Sequence, residues 1–219
     1  MSAQELRSKL NHFPSISYGA DPSPIRRLKR LQTALGSADT PEIWIKRDDE
    51  LVPGLGGNKG RKLAYLMAEA GVQNKRKVVT FGGLQSNHAR MTAAACAQLG
   101  LAAHLFFFDH RPKKLTGNLL LNQLLGAKMH FIPFGGGGSA AMTLERTNQL
   151  VRLLSFFFTG PGAYFIPVGG HNFTGGLGYV EAACEIEEQV QQLGLPREKI
   201  TVVTAAGTGG TLAGLMAGF

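Results

Sequence analysis

The sequence predicts an α/β protein built on a mostly parallel sheet. Two observations carry this. From Ile43 onward, short β-branched or aromatic runs alternate with segments of helical period, and several of the runs end in glycine-rich turns. Right-handed crossovers between such strands gather their carboxyl ends, and the loops that follow them, on one edge.

In chain order, "IWIKRD" reads as a short strand, and Arg61 to Ala70 as a helix with Leu63, Leu66, Met67 and Ala70 at helical spacing. "KVVTFGG" is a strand running into glycines. "SNHARMTAAACAQLG" is an alanine-rich helix with Ser86 as N-cap and Gly100 as its stop. "AAHLFFFD" is a buried strand, "KLTGNLLLNQLLG" a helix ended by Gly126, and "KMHFIPF" a strand. After the flexible "GGGG" come a helix from Ser139 to about Leu154 and the strand "AYFIPVGG". A helix from about Leu177 to Leu193, the strand "KITVVTAAG" and a helix beginning near Thr211 complete the pattern. Apart from the alternation there is no internal repeat.

A chain of 219 residues can form one large domain or two small ones around a sizeable core. Its 29 glycines are clustered, so they mark turns and close approaches of backbone to a ligand. The formal charge of +8 favours anionic ligands. Part of it lies in Arg26, Arg27, Lys29 and Arg30, and part in Lys75, Arg76 and Lys77. These short runs read as solvated faces without the interleaved aromatics of a single-strand reader, so no nucleic-acid partner is expected. Cys96 and Cys184, far apart in amphipathic helices, imply reduced, packed thiols rather than a disulfide framework. Met1 to Lys9 is polar, unlike a signal peptide, and no apolar run reaches the roughly 18 residues of a membrane span. The expectation is a cytoplasmic protein with no membrane partner.

Four loops stand out. "AAGTGGT" follows a strand and opens a helix, so backbone N–H groups of Gly207 to Thr211 and the hydroxyls of Thr208 and Thr211 can wrap a phosphate. The plainer reading is a glycine turn. It is neither a P-loop, which needs a Lys-Ser or Lys-Thr pair, nor a dinucleotide fingerprint with its ribose carboxylate. In "QSNHAR", Ser86 is explained by helix capping alone, yet a helix N-terminus also receives carboxylates, and Asn87 adds an amide. His88 reads as a supporting residue, and the scattered histidines predict no metal site. In "LGGNKGRK", Lys59 is a solvated charge by default. Small neighbours would let its amine approach a carbonyl, and Arg61 or Lys62 could lower its pKa if they face the same pocket. "VGGHNFTGGLG" is the fourth loop expected on this edge.

The ordered set "PSPIRRL", "IKRDDEL", "LGGNKGRKLAYLMAEA", "GGLQSNHARMTAAACAQLGL", "IPVGGHNFTGGLGYVEAACEI" and "AAGTGGTLAGL" resembles the pyridoxal-phosphate enzymes of fold type II. Within this tryptophan synthase β-like fold type, the resemblance lies in the branch holding D-cysteine desulfhydrase, 1-aminocyclopropane-1-carboxylate deaminase and L-cysteate sulfo-lyase, and it runs from about Phe13 to the end. It implies that Lys59 holds pyridoxal 5'-phosphate covalently, with Asn58 beside it, and acts on the substrate with Ser86. It implies that Ser86 and Asn87, with Gln85 alongside, face the substrate carboxylate and the cofactor's phenolic oxygen. Gly207, Thr208, Gly209, Gly210 and Thr211 would form the phosphate cup. Two domains with open, mostly parallel twisted sheets follow: residues 64–166 inserted into a larger domain of residues 1–63 and 167–219, with the cofactor in the cleft.

Members of this family are longer than 219 residues, so the resemblance implies a large domain left incomplete at Phe219. Such a chain would expose a sheet edge, keep a weakened cofactor site and lack turnover. The leading function is a lyase or deaminase of a small amino acid, D-cysteine desulfhydrase first because of "SNHAR", with 1-aminocyclopropane-1-carboxylate deaminase or L-cysteate sulfo-lyase as alternatives. A catalytically silent cofactor binder is the competing class, and a nucleotide-binding protein is disfavoured. A small amino acid is the expected ligand, and a homodimer the expected assembly.

Overall fold

The computed structural model describes residues 3–18, 22–36, 41–51, 56–133 and 144–219. Helix α1 (Ala3–Leu10) precedes a two-stranded antiparallel ribbon of β1 (Ile25–Arg27) and β2 (Trp44–Lys46), with α2 (Lys29–Leu35) between them. The basic run beside β1 is not simply solvated: Arg26 pairs with Glu50, and Arg27 with Glu42.

The main sheet contains β3 (Lys77–Phe81), β4 (Ala102–Phe107), β5 (Lys128–Phe131) and β6 (Tyr164–Phe165). All its pairings are parallel, in the order β5-β4-β3-β6. Helices α3 (Lys59–Val72), α4 (Asn87–Gln98), α5 (Gly117–Leu124) and α6 (Leu144–Thr159) alternate with these strands, and α7 (Phe173–Gln192) and α8 (Gly210–Gly218) follow them. Strands covered on both faces read as continuous apolar runs. Val78, Leu105 and Phe107 accordingly pack with Leu63, Leu66, Met67, Met91 and Cys96, whereas Val79, Phe81 and Phe106 pack on the other face with Val151. The α/β class with a parallel sheet is the one expected.

Neighbouring strands β3 and β6 send their chains apart. The chain leaving β3 enters α4, which packs on α3 and α5, while the chain leaving β6 enters α7, which packs on α3 and α8. A crevice opens where chains diverge from the carboxyl ends of adjacent parallel strands.

Three elements depart from the sequence pattern. Helix α7 starts at Phe173, four residues before the expected Leu177, with Asn172 Oδ1 accepting from the Gly175 N–H at 2.9 Å. The glycines that read as loop lie inside it because the packing needs them. A Cβ on Gly175 would stand 2.2 Å from the Gly170 carbonyl oxygen, and one on Gly178 2.1 Å from that of Arg61. Helix α6 continues past Leu154 to Thr159, while its expected start at Ser139 and the "GGGG" run lie outside the described residues. The expected strand "KITVVTAAG" is not a strand: among the described residues no chain pairs with it, and Val203 is 89% exposed. Its apolar sequence has strand propensity, but a ladder needs a neighbour.

Candidate active site

Lys59 is the first residue of α3, two positions earlier than the periodicity suggested. The glycines before it are dictated by packing. A Cβ on Gly56 would fall 1.7 Å from the Asp49 carbonyl oxygen, and one on Gly57 (φ +132°) 2.9 Å from Met91 Sδ. The Gly57 N–H donates to the Asp48 carbonyl at 2.9 Å, holding this turn against the 3-10 turn Asp48–Glu50. Lys59 Nζ lies 3.2 Å from Asn58 Oδ1. Partial burial lowers its pKa from the usual lysine value, so more of the amine is neutral than on an open surface.

Lys59 faces a cavity of about 290 Å³ whose walls come from four loops. Asn58 and Lys59 form the first, and Ser86, Asn87 and His88 the second. Val168 and Gly169 form the third, and Ala205 to Gly209 with Thr211 the fourth. The four loops expected on one edge therefore meet. Gly169 (φ +66°) is the hinge of their contact: a Cβ there would lie 3.3 Å from Thr208 Oγ1 and 3.8 Å from Lys59 Cε.

Ser86 caps α4, its Oγ accepting from the Ala89 N–H at 3.2 Å. The cap uses the oxygen as an acceptor and leaves the hydroxyl proton free to be donated. Asn87 lies on the same wall. Gln85 does not: its side chain turns to the Thr116 carbonyl and the Asn118 N–H, and it is not part of the wall. Gly210 also sits behind the wall, where a Cβ would lie 2.9 Å from both Lys62 Nζ and His171 Nδ1. Gly209 (φ +80°) turns the chain into α8, whose first-turn N–H groups have no intrahelical acceptor.

Of the two cations considered as Lys59's neighbours, Arg61 faces elsewhere. It pairs with Asp48 and Glu185 and donates to Ser23 Oγ, beside the Lys46–Glu185 ion pair. Burial opposes its charge, but the hydrogen bonds to Asp48 and Glu185 keep its pKa raised. Lys62 is the one turned inward. It is 2% exposed, and its Nζ donates to the Gly169 carbonyl at 3.2 Å. Burial first, and the Lys59 charge second, lower its pKa to about 8.

His88 is more closely built into the site than its sequence position suggested. The Thr80 hydroxyl donates to the Ile166 carbonyl at 2.8 Å, so it accepts from His88 Nε2 at 2.9 Å. That leaves His88 Nδ1 as an unprotonated, buried acceptor without a partner among the described residues. Burial, then Lys59 and Lys62, depress the pKa of His88 to about 3, so the ring is neutral. Tyr179, another residue not singled out by sequence, places its hydroxyl 3.0 Å from Asp48 Oδ2 and 3.1 Å from the Asn58 carbonyl oxygen. Among the described residues, no cluster of three or more His, Cys, Asp or Glu could hold a metal ion, and no helix is long and apolar enough to cross a membrane.

The arrangement offers one amine of lowered basicity, the N-termini of α3, α4 and α8 and a neutral imidazole around one cavity. Residues 16–219 match the family described as "Pyridoxal-phosphate dependent enzyme". The chain is 40% identical over 225 residues to the "Bifunctional D-cysteine desulfhydrase/1-aminocyclopropane-1-carboxylate deaminase, mitochondrial" of Arabidopsis thaliana, a match covering 99% of this chain and 53% of that protein. It is 38% identical over 222 residues to the "D-cysteine desulfhydrase" of Serratia proteamaculans (strain 568), covering 97% of this chain and 62% of that protein. Among solved structures it is similar to an "ACC deaminase homologue", with a TM-score of 0.77 and 31% identity over 97% of this chain and 61% of the other. The chain thus spans 53% and 62% of the lengths of the two relatives.

Proposed function

The chain belongs to the family of pyridoxal-phosphate-dependent enzymes, and from that premise we propose that it carries the cofactor site of a lyase or deaminase acting on a small amino acid. The preferred reaction converts D-cysteine and water to pyruvate, ammonia and hydrogen sulfide. 1-Aminocyclopropane-1-carboxylate is the alternative substrate, because the plant relative is named for both activities. The observation that carries the reading is the meeting of the half-buried Lys59 amine with the α4 and α8 N-termini around one cavity.

The residues present fit pyridoxal 5'-phosphate. Gly207, Thr208, Gly209 and Thr211 would take its phosphate, where free N–H groups and the helix dipole favour an anion. Gly210 keeps the loop close to Lys62, whose charge stands behind the cup. Gly169 leaves open the space between Lys59 and Thr208 that a side chain would fill. When bound, the cofactor supplies an electron sink for the electron pair released at the substrate α-carbon.

The protein's own part is to hold and move groups. Lys59 would hold the cofactor and, once released from it, take the α-proton, a role favoured by its lowered basicity. Ser86 and the N-terminus of α4 would orient the substrate carboxylate, with the Ser86 hydroxyl donating. Asn87 would donate to the cofactor's phenolic oxygen. Gln85 would hold the start of α5 through Asn118 and Thr116 rather than touch substrate. His88 stays uncharged beside two lysines and so adds no further positive charge to the cavity.

We also propose residues 64–166 as a small domain inserted into a larger one of residues 1–63 and 167–219. The cavity draws its walls from both segments. A homodimer follows from the resemblance alone. A cytoplasmic location fits the buried free thiols Cys96 and Cys184, although the Arabidopsis relative is named as mitochondrial.

The reading is tested by adding substrate to cofactor-loaded protein. A changed visible spectrum with release of sulfide and pyruvate from D-cysteine supports the desulfhydrase. Ammonia without sulfide from the cyclopropane amino acid supports the deaminase. A spectrum unmoved by either substrate contradicts the proposal and indicates a silent cofactor binder.

A further inference from the structure

Asn118, in the first turn of α5, reaches back to the loop that precedes α4. Its Nδ2 donates to the Gln85 carbonyl at 2.8 Å and to Asn87 Oδ1 at 3.0 Å. Its backbone N–H donates to Gln85 Oε1 at 2.8 Å, and Gln85 Nε2 donates to the Thr116 carbonyl at 3.2 Å.

Backbone groups at the ends of this network determine the direction of every amide within it. A backbone carbonyl only accepts, so the Asn118 atom facing Gln85 O is its NH2; a backbone N–H only donates, so the Gln85 atom facing Asn118 is Oε1. The second hydrogen of the Asn118 NH2 needs an acceptor, and Asn87 meets it with Oδ1. The remaining end of the Asn87 side chain is then its NH2, which can only donate, and Asn87 lies on the cavity wall. Gly117 makes the approach possible. Its φ is +54°, and a Cβ there would lie 2.5 Å from Gln85 Oε1.

We infer that Asn118 is a positioning residue that fixes the polarity of Asn87, presenting the Asn87 NH2 to an acceptor oxygen of the cofactor. The inference rests on the cofactor reading of this cavity. Asn118 itself stands outside the cavity wall, so its effect passes through Asn87.

The test is a titration of pyridoxal 5'-phosphate, followed by absorbance, into the wild-type protein, Asn118→Asp, Asn118→Ala, Asn87→Ala and the double variant Asn87→Ala/Asn118→Asp. Asp has the shape of Asn but offers only acceptors, so Asn87 would turn its NH2 toward residue 118 and its oxygen toward the cofactor. Asn118→Asp is expected to weaken cofactor binding about tenfold or more, since a hydrogen bond is lost and two acceptors are opposed. Asn118→Ala, which leaves Asn87 free to turn, is expected to lose less. The double variant should bind no more weakly than Asn87→Ala alone. Wild-type affinity in a folded Asn118→Asp protein would overturn the inference, because a space-filling role survives that change. Losses that multiply in the double variant would overturn it too, because Asn118 would then act independently of Asn87. Failure of the wild-type protein to take up cofactor would instead defeat the proposed function on which the inference depends.

Discussion

The hydroxyl of Tyr179 lies 3.1 Å from the carbonyl oxygen of Asn58, so helix α7 grips the residue immediately before Lys59. The same hydroxyl lies 3.0 Å from Asp48 Oδ2, and the Asp48 carbonyl accepts from the Gly57 N–H. Tyr179→Phe removes this tie while keeping the ring. A loss of roughly 1 kcal/mol in folding stability is expected for one buried hydrogen bond, together with weaker cofactor uptake. Urea unfolding measures the first and absorbance titration the second. A variant unchanged in both would show that the clamp does not position Lys59.

Gly169→Ala places a Cβ in a left-handed backbone position and 3.3 Å from Thr208 Oγ1. The backbone penalty alone is roughly 1–2 kcal/mol. Cofactor affinity should fall further than stability does, because the methyl group fills the space between Lys59 and Thr208. Equal cofactor affinity in the variant would contradict the placement of the cofactor there.

Gly178→Ala separates two effects of opposite sign. Helix propensity favours alanine over glycine by up to about 1 kcal/mol. The new Cβ, however, would stand 2.1 Å from the Arg61 carbonyl oxygen and force α7 away from α3. Overpacking of this kind costs roughly 1–3 kcal/mol, so a lower thermal midpoint is expected. A stabilised variant would refute the close helix contact.

His88 gives stability an acid-side slope. Its folded pKa is about 3 against an ordinary 6.5. As pH falls through this window the unfolded chain binds a proton that the folded protein does not, so stability present above pH 6.5 is progressively lost toward pH 3. The contribution is at most roughly 1.4 kcal/mol per pH unit. Carboxylates titrate there as well, so the comparison is with His88→Gln, whose urea midpoint should fall less steeply with acid. Parallel slopes would mean that His88 is not held neutral.

The meeting of the four loops was legible in the sequence, because each glycine cluster follows a strand or opens a helix and parallel strands put such loops on one edge. That is why Lys59, Ser86, Gly207, Thr208, Gly209 and Thr211 come to line one cavity. The parts that were not legible depend on contacts distant in sequence. Gly175 and Gly178 stand in a stretch that reads as loop, but they lie inside α7, where a Cβ would meet the Gly170 and Arg61 carbonyl oxygens. Gln85 turns from the cavity because Asn118, 33 residues away, engages it. Arg61 and Lys62 are adjacent cations, and only the carboxylates of Asp48 and Glu185 decide which of them turns from the site. Strand propensity at Ile200 to Val203 gave no indication of whether a neighbour would pair with it.

The most direct measurement is borohydride reduction of the protein with pyridoxal 5'-phosphate, followed by peptide mass mapping of the fixed cofactor. Lys62 is the natural competitor, since it lies three residues further along α3, is buried, and has its pKa lowered to about 8. Modification is expected at Lys59, because Lys59 lies on the cavity wall while Lys62 is turned to the Gly169 carbonyl behind it. Lys59→Ala is expected to abolish fixation. Cofactor fixed at Lys62, or fixed undiminished in Lys59→Ala, would show that Lys59 is not the residue that holds it.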